Sequence, residues 1–190
     1  MFVLVENDSI TKTLQSNRGV TIGENQYPRA IYTSAWSDAE REAIGIYEVV
    51  FDNTNLKDEK YYNNTNQSFN FADGKVTASF GSATAKELAD VTKDGVTTPG
   101  LKTKHKEIIK KQASNLLTST DWYIIKATEV ESYSVSSAIT TYRADVRTRS
   151  NEMEVLIDAS STVDELAALY AYTGDPGSQT RPLGEWPEEV

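Results

Sequence analysis

Apolar and polar residues alternate with a period of two through much of the first half of the chain, and this pattern predicts β-strands. The clearest case is residues 68–80, where apolar positions alternate on both sides of Asp73-Gly74. An Asp-Gly pair favours the left-handed backbone of a two-residue hairpin turn, so a β-hairpin is expected here. Further strands are predicted for residues 1–5, 19–23 and 46–51.

One short helix is predicted among these strands. Ser37 and Glu40 have the spacing of a capping box, in which the serine hydroxyl accepts from the third helical amide and the glutamate reaches back to the amide of the serine. Gly45 stands where a left-handed residue commonly ends a helix. The helix is therefore expected to have only about two turns.

In the second half of the chain, apolar residues recur every three or four positions, and this pattern predicts helices. One apolar stripe consists of Ile109, Ala113, Leu116 and Leu117, and the next of Val135, Ile139, Tyr142 and Val146. Residues 119–121 are expected to end the first helix, and the second either stops at Ser150-Asn151 or continues through residues 152–157. Because the connection is short, the two stripes should cover each other in an antiparallel hairpin over residues 104–149.

These elements predict an α+β protein. A small N-terminal, mainly antiparallel β domain with one short helix is followed by a C-terminal helical hairpin and an irregular acidic tail. The predicted boundaries are residues 1–91 for the β-rich domain, 92–103 for a linker, 104–173 for the hairpin with a short third helix, and 174–190 for the tail.

Composition narrows the function. The 190 residues include 19 basic and 28 acidic ones, a net charge of −9, which argues against general binding to nucleic acid. Six of the acidic residues, against one basic residue, lie in residues 161–190. The N-terminal apolar run stops at Glu6, and no stretch approaches the roughly 20 apolar residues of a membrane span, so a soluble, non-exported protein is expected.

The sequence offers little for catalysis or metal binding. It contains no cysteine and one histidine, His105, which is expected to be an exposed residue on a basic helix start. Neither a nucleophile elbow nor a phosphate-binding loop is present. A pair of catalytic carboxylates brought together by folding would leave no signature in the sequence, so the sequence gives no evidence for such a pair. We therefore expect no catalytic residue, no metal and no cofactor.

The placement of tryptophan is more informative. Trp122 follows Asp121 at the expected break between the helices, where it would either close the open end of the hairpin as core or anchor a partner chain. Trp186 lies in a proline-containing tail that offers little core of its own. It is therefore expected to dock, on its own domain or on a neighbour.

Two segments together carry a resemblance to a known family. Residues 116–122 read Leu-Leu-Thr-Ser-Thr-Asp-Trp, and residues 142–147 read Tyr-Arg-Ala-Asp-Val-Arg. This combination resembles phage tail-fibre assembly proteins and phage tail assembly chaperones, over about 45 of the 190 residues. The proline-rich stretch that usually follows the tryptophan in that family is absent from residues 123–128.

The resemblance implies a non-catalytic protein that binds a phage tail-fibre or baseplate protein and assists the folding or attachment of the fibre. It implies action in the host cytoplasm during assembly. A permanent virion component retained in the tail, such as a fibre adaptor or a baseplate decoration protein, is the alternative. A homo-oligomer and a stoichiometric complex with a trimeric fibre both stay open.

The predicted partner-binding residues are Trp122, Tyr142, Arg143, Arg147 and Trp186. Arg143 and Arg147 lie one helical turn apart, so they would offer paired donors to carboxylates or carbonyls of the partner. The alternative for this pair is a set of local salt bridges with Asp145 or with glutamate residues of the facing helix.

Overall fold

The computed structural model describes all 190 residues, Met1–Val190, and the chain forms two compact units. The first unit, Met1–Thr84, is built on a β-sheet and contains one short α-helix. The second unit, Ala85–Val190, is mainly helical. The α+β class expected from the sequence is confirmed. The division between the units follows Thr84 and not residue 91.

The first unit has nine strands, the last of which crosses the division. They are β1 (Phe2–Glu6), β2 (Ser9–Leu14), β3 (Val20–Ile22), β4 (Asn25–Tyr27), β5 (Ile46–Asp52), β6 (Tyr62–Asn63), β7 (Gln67–Ala72), β8 (Lys75–Phe80) and β9 (Thr84–Ala85). A 3-10 helix (Arg29–Tyr32) and helix α1 (Asp38–Glu42) lie between β4 and β5.

Five of these strands form one sheet in the order β2-β1-β5-β8-β7. The β7–β8 hairpin turns at Asp73-Gly74, both with positive φ, as predicted. β5 and β8 run parallel, while the other neighbours in the sheet are antiparallel. Alternate residues of β1 enter different apolar clusters, Phe2 and Leu4 one cluster, Val3 and Val5 the other. Each face of the sheet therefore has its own core.

Helix α1 begins and ends as its sequence predicts. The Ser37 hydroxyl accepts from the Glu40 amide at 3.3 Å, and the Glu40 carboxylate accepts from the Ser37 amide at 2.8 Å. The Glu40 carboxylate also accepts from the Ser37 hydroxyl, and the bonds from the Ser37 amide and hydroxyl lower the pKa of Glu40 because they favour its charged form. Gly45 has a φ of +80° and connects the helix to β5.

The buried guanidinium of Arg41 organises the loop before α1. Its Nη1 donates hydrogen bonds to the backbone carbonyls of Ile31, Thr33 and Trp36, at 3.1, 3.2 and 2.7 Å. Its Nη2 pairs with the carboxylate of Asp38. This loop has no strand neighbours to satisfy those carbonyls, so the arginine replaces the bonds that a sheet would provide.

The second unit begins with a small hairpin of β10 (Val91–Lys93) and β11 (Val96–Thr98), followed by three helices. These are α2 (Leu101–Glu129), α3 (Ser137–Ala159) and α4 (Val163–Ala168). The segment predicted as a linker, residues 92–103, thus contains most of a hairpin and the first residues of α2. Its turn is again Asp-Gly, at Asp94-Gly95, but the exposed strands lack the apolar alternation that identifies a strand in sequence.

The predicted break at residues 119–121 is wrong, because α2 continues to Glu129. The hydroxyls of Thr118, Ser119 and Thr120 donate to carbonyls three or four residues earlier in the same helix. These side chains therefore bond within the helix without ending it. α3 likewise continues through Ser150-Asn151 to Ala159. Ser150 is buried on its inner face.

None of the helices contains a stretch whose length and hydropathy would allow it to span a lipid bilayer.

Replacing Gly45 with alanine should destabilise the first unit more than replacing Gly74. Both glycines have positive φ, which costs an L-residue about 1–2 kcal/mol. A Cβ at Gly45 would lie 2.6 Å from the Val5 carbonyl oxygen, whereas one at Gly74 meets nothing within 4 Å. We expect the clash to add at least about 1 kcal/mol to the loss for Gly45→Ala, measured by urea unfolding. Equal losses for the two variants would contradict this.

Candidate protein-binding site

The antiparallel register of α2 and α3 is marked by three ion pairs across the hairpin. Lys106 meets Asp158 at 2.8 Å, Lys110 meets Glu154 at 3.3 Å, and Arg143 meets Asp121 at 2.8 Å. The first of these pairs raises the pKa of Lys106, through the hydrogen bond to the Asp158 carboxylate. The expected hairpin is present, and it is longer than residues 104–149.

A buried core occupies the half of the hairpin that includes the start of α2 and the end of α3. The side chains without appreciable exposure there are Ile109, Val146, Met153, Ile157 and, from beyond α3, Leu166 and Leu183. His105 is also buried, so the expectation that it is exposed is wrong, and its ring lies 4.8 Å from the Tyr170 ring centroid with the two ring planes tilted by 59°. It lies four residues before Ile109, on the inner face of α2.

Arg143 lies where this core ends, and it is only 8% exposed. Its Nη1 donates to the Leu117 carbonyl at 2.8 Å and to the Thr120 hydroxyl at 2.6 Å. Its Nη2 pairs with Asp121. These side-chain contacts are all to the facing helix, but the carboxylate is that of Asp121 and not of Asp145 or a glutamate, the partners named for the salt-bridge alternative.

Tyr142 and Arg147, the neighbours of Arg143 in the predicted site, differ in exposure. Tyr142 is buried, and its hydroxyl donates to the Leu116 carbonyl at 3.4 Å. Burial, with a contribution from the Glu189 charge, raises its pKa. Arg147 is exposed and donates to the Arg143 carbonyl at 3.1 Å. The two arginines thus do not form a pair of free donors, and Arg147 alone is available to a partner.

Trp186 docks on the second unit itself. It packs against the buried cluster of Ala113, Tyr142 and Val146, and its indole N–H donates to the Gln112 side chain at 3.3 Å. Leu183, three residues earlier, is completely buried. The acidic tail is irregular as predicted, yet these two apolar side chains hold part of it against the helices.

Trp122 is 61% exposed, so it does not close the hairpin as core. It begins a run of four large apolar residues, Trp122, Tyr123, Ile124 and Ile125, which are all exposed. Successive helical residues are turned by about 100°, so four in a row cannot all face one neighbouring helix. The run of four apolar residues is visible in the sequence and indicates an exposed surface once it is placed inside a helix. The prediction that the helix ends at residues 119–121 placed the run outside the helix, so this surface was not predicted.

We call residues 122–141, which lie beyond the contacts of Arg143 with Leu117, Thr120 and Asp121, the tip. Val130 at its turn is a further exposed apolar residue. The segment of the tip that faces the apolar run is rich in serine and threonine, at positions 132, 134, 136, 137, 140 and 141. Such side chains cover little apolar surface. Residues 122–141 carry only three charges, those of Lys126, Glu129 and Glu131.

The turn of the tip is ordered by local contacts. The Lys126 ammonium lies 4.4 Å from the centroid of the Tyr133 ring, and the Tyr133 amide donates to the Val130 carbonyl at 2.8 Å. The Ser136 hydroxyl accepts from the Ile139 amide and caps α3. The tip is therefore a defined helical projection with an uncovered apolar surface.

Neither unit offers a group of three or more His, Cys, Asp or Glu side chains arranged to hold a metal ion. Comparisons of the chain with protein-family models, with curated proteins and with solved structures gave no match.

Replacing Arg143 with methionine should lower the free energy of unfolding by about 2–3 kcal/mol, because the Leu117 carbonyl and the Thr120 hydroxyl each lose a charged hydrogen-bond donor and Asp121 loses its ion pair. Arg147→Met is the matched control and should change it by less than about 0.5 kcal/mol. Urea unfolding followed by circular dichroism measures both. A small effect of Arg143→Met would mean that this contact does not hold the hairpin.

Proposed function

We propose that this chain is a non-catalytic phage tail protein that binds a tail fibre through the tip of its helical unit and assists the folding or attachment of the fibre. The observation that carries the proposal is the exposed apolar run at residues 122–125. The resemblance of residues 116–122 and 142–147 to fibre assembly proteins supplies the kind of partner, and the tip lies between these two segments.

The surface of the tip has the chemistry of a binding site for apolar protein surface. Trp122 and Ile125 are three residues apart and so lie on one side of α2, where they are 61% and 51% exposed. Large aromatic side chains contribute most where they bury area on a partner with little loss of conformational freedom. The low charge of the tip keeps the cost of desolvation small.

A fibre subunit that assembles into a trimer has, before assembly, the apolar surface that the trimer will bury. Such surface makes an unassembled subunit prone to aggregation. An apolar tip on a strongly acidic protein can cover that surface while the net charge of −9 keeps the complex soluble. Release follows when contacts between fibre subunits bury more area than the tip does.

Removing the apolar side chains of the tip should abolish binding without unfolding the protein. We expect Trp122→Ser with Ile125→Ser to reduce co-purification of a co-expressed fibre by at least about tenfold, because hot-spot side chains of this kind each contribute about 2 kcal/mol or more. Val155→Ser, at a residue that is 67% exposed on α3 outside the tip, is the matched control and should bind normally.

Two measurements test the proposal further. The yield of trimeric fibre should fall with the tip variant and stay unchanged with the control. A fibre that trimerises equally well without this protein would contradict the assembly role. Mass spectrometry of purified particles separates a transient assembly factor, which is absent from them, from a permanent virion component, which is present at fixed copy number.

A further inference from the structure

The three ion pairs across the α2–α3 hairpin lie on one face and share one register. Four residues separate the first pair from the second on both helices, and eleven separate the second from the third. Steps of four and eleven residues return to nearly the same side of a helix. From the start of α2 towards the tip, the pairs are Lys106–Asp158, Lys110–Glu154 and Asp121–Arg143.

Arg147 lies on this face but has no carboxylate partner. It follows Arg143 by four residues, and the shared register places it level with Leu117 of α2. Every other cation on this face meets a carboxylate of the facing helix, whereas Leu117 offers no charge. Arg147 makes no ion pair, and its guanidinium donates one hydrogen bond, to the Arg143 carbonyl at 3.1 Å.

A groove of about 480 Å³ runs along the same face and contains this unpaired cation. Three cations and two carboxylates line the groove, so its formal charge is +1 on a protein whose net charge is −9. Both carboxylates, Asp121 and Glu154, are already in ion pairs. The positive charge that remains is therefore that of Arg147.

The face continues from the groove into the tip. Ile125 lies four residues beyond Asp121, so it is on the same side of α2, and it is 51% exposed. The register places it level with Ile139 of α3, which is half-buried. At a rise of 1.5 Å per residue, Leu117 and Ile125 are about 12 Å apart along the helix. A chain lying along this face thus meets exposed apolar surface at Ile125 and an unpaired cation about 12 Å away.

We propose that Arg147 binds a carboxylate of the chain that docks on the tip. The docking segment then has an aspartate or glutamate about 12 Å from the apolar residue that covers Ile125. This inference rests on the proposed function of the tip and adds the chemistry of its partner. Carboxylates are the anions that a polypeptide offers, and their two oxygens match the planar guanidinium, so the contact fixes the direction in which the segment lies.

The test is a selection of short peptides, displayed on yeast, against the full-length protein. Clones that also bind the variant Trp122→Ser with Ile125→Ser are discarded, so the remaining clones depend on the tip. We expect these clones to be enriched in aspartate and glutamate over the unselected library. A net charge of −9 by itself favours basic peptides, so such enrichment identifies a local cation.

Arg147→Gln should weaken the binding of the selected clones about three- to tenfold at low salt, with a smaller effect as salt screens the charges. Lys104→Gln removes the same charge from an exposed lysine near the start of α2 and should leave binding unchanged. Titration of labelled peptide on purified protein measures both affinities.

A second variant occupies the cation without removing it. Asn151 lines the groove four residues after Arg147, so Asn151→Glu places a carboxylate within reach of the guanidinium on the same helix. This variant should weaken the selected clones about threefold, because the new carboxylate competes with that of the peptide. Asn151→Gln has the same size without the charge and should bind normally.

The outcomes separate this inference from the proposed function. Clones that depend on the tip but have no excess of acidic residues would overturn the carboxylate site and leave the tip as a binding surface. Equal binding to Arg147→Gln, Asn151→Glu and the unaltered protein would do the same. A selection without any clone that depends on the tip would contradict both. Each position is exposed, so circular dichroism should show unchanged helix content.

Discussion

The guanidinium of Arg143 binds α2 at the boundary between the part of the hairpin with a buried apolar core and the part with exposed apolar residues. On one side of it, α2, α3 and α4 share a buried apolar core that includes Val146, Met153 and Leu166. On the other side lies the tip, in which apolar residues are exposed. Three donor–acceptor contacts to Leu117, Thr120 and Asp121 fix the hairpin at this boundary. The position of every exposed residue in the tip depends on that register.

Both units use a buried arginine that donates hydrogen bonds to backbone or hydroxyl oxygens of a neighbouring segment. Arg41 binds three carbonyls of an irregular loop, and Arg143 binds a carbonyl and a hydroxyl of a neighbouring helix. Each guanidinium also has one carboxylate partner, Asp38 or Asp121. The planar fork of five donors makes this possible, whereas the point charge of lysine does not. Sequence alone does not separate such an arginine from one that binds a partner, since the residue type and spacing are the same.

The elements that short sequence patterns predicted correctly are those stabilised by contacts between residues close together in the chain. The capping box at Ser37 and Glu40 and the turn at Asp73-Gly74 are complete within a few residues, and both are as expected. The parallel pairing of β5 with β8 joins strands far apart in the chain, and no short pattern encodes it. Strand β2 was missed because an edge strand that is mostly exposed carries little apolar alternation. For the candidate site, the sequence left open whether Trp122 is core or exposed, and only packing could show that it is exposed while Tyr142 and Arg143 face inward.

The exposure of residues 122–125 has no explanation within the unit. A helix whose only role is to pack against its partner in a hairpin needs apolar residues on its inner face. Polar residues such as serine or lysine at its outer positions would not weaken that packing. Trp122 and Ile125 instead stand on the outer side, and the facing segment offers hydroxyls. Exposing such side chains lowers solubility, and the register set by Arg143 prevents them from turning inward. Because folding leaves much of these side chains exposed, their exposure motivates the proposal that the tip binds another chain.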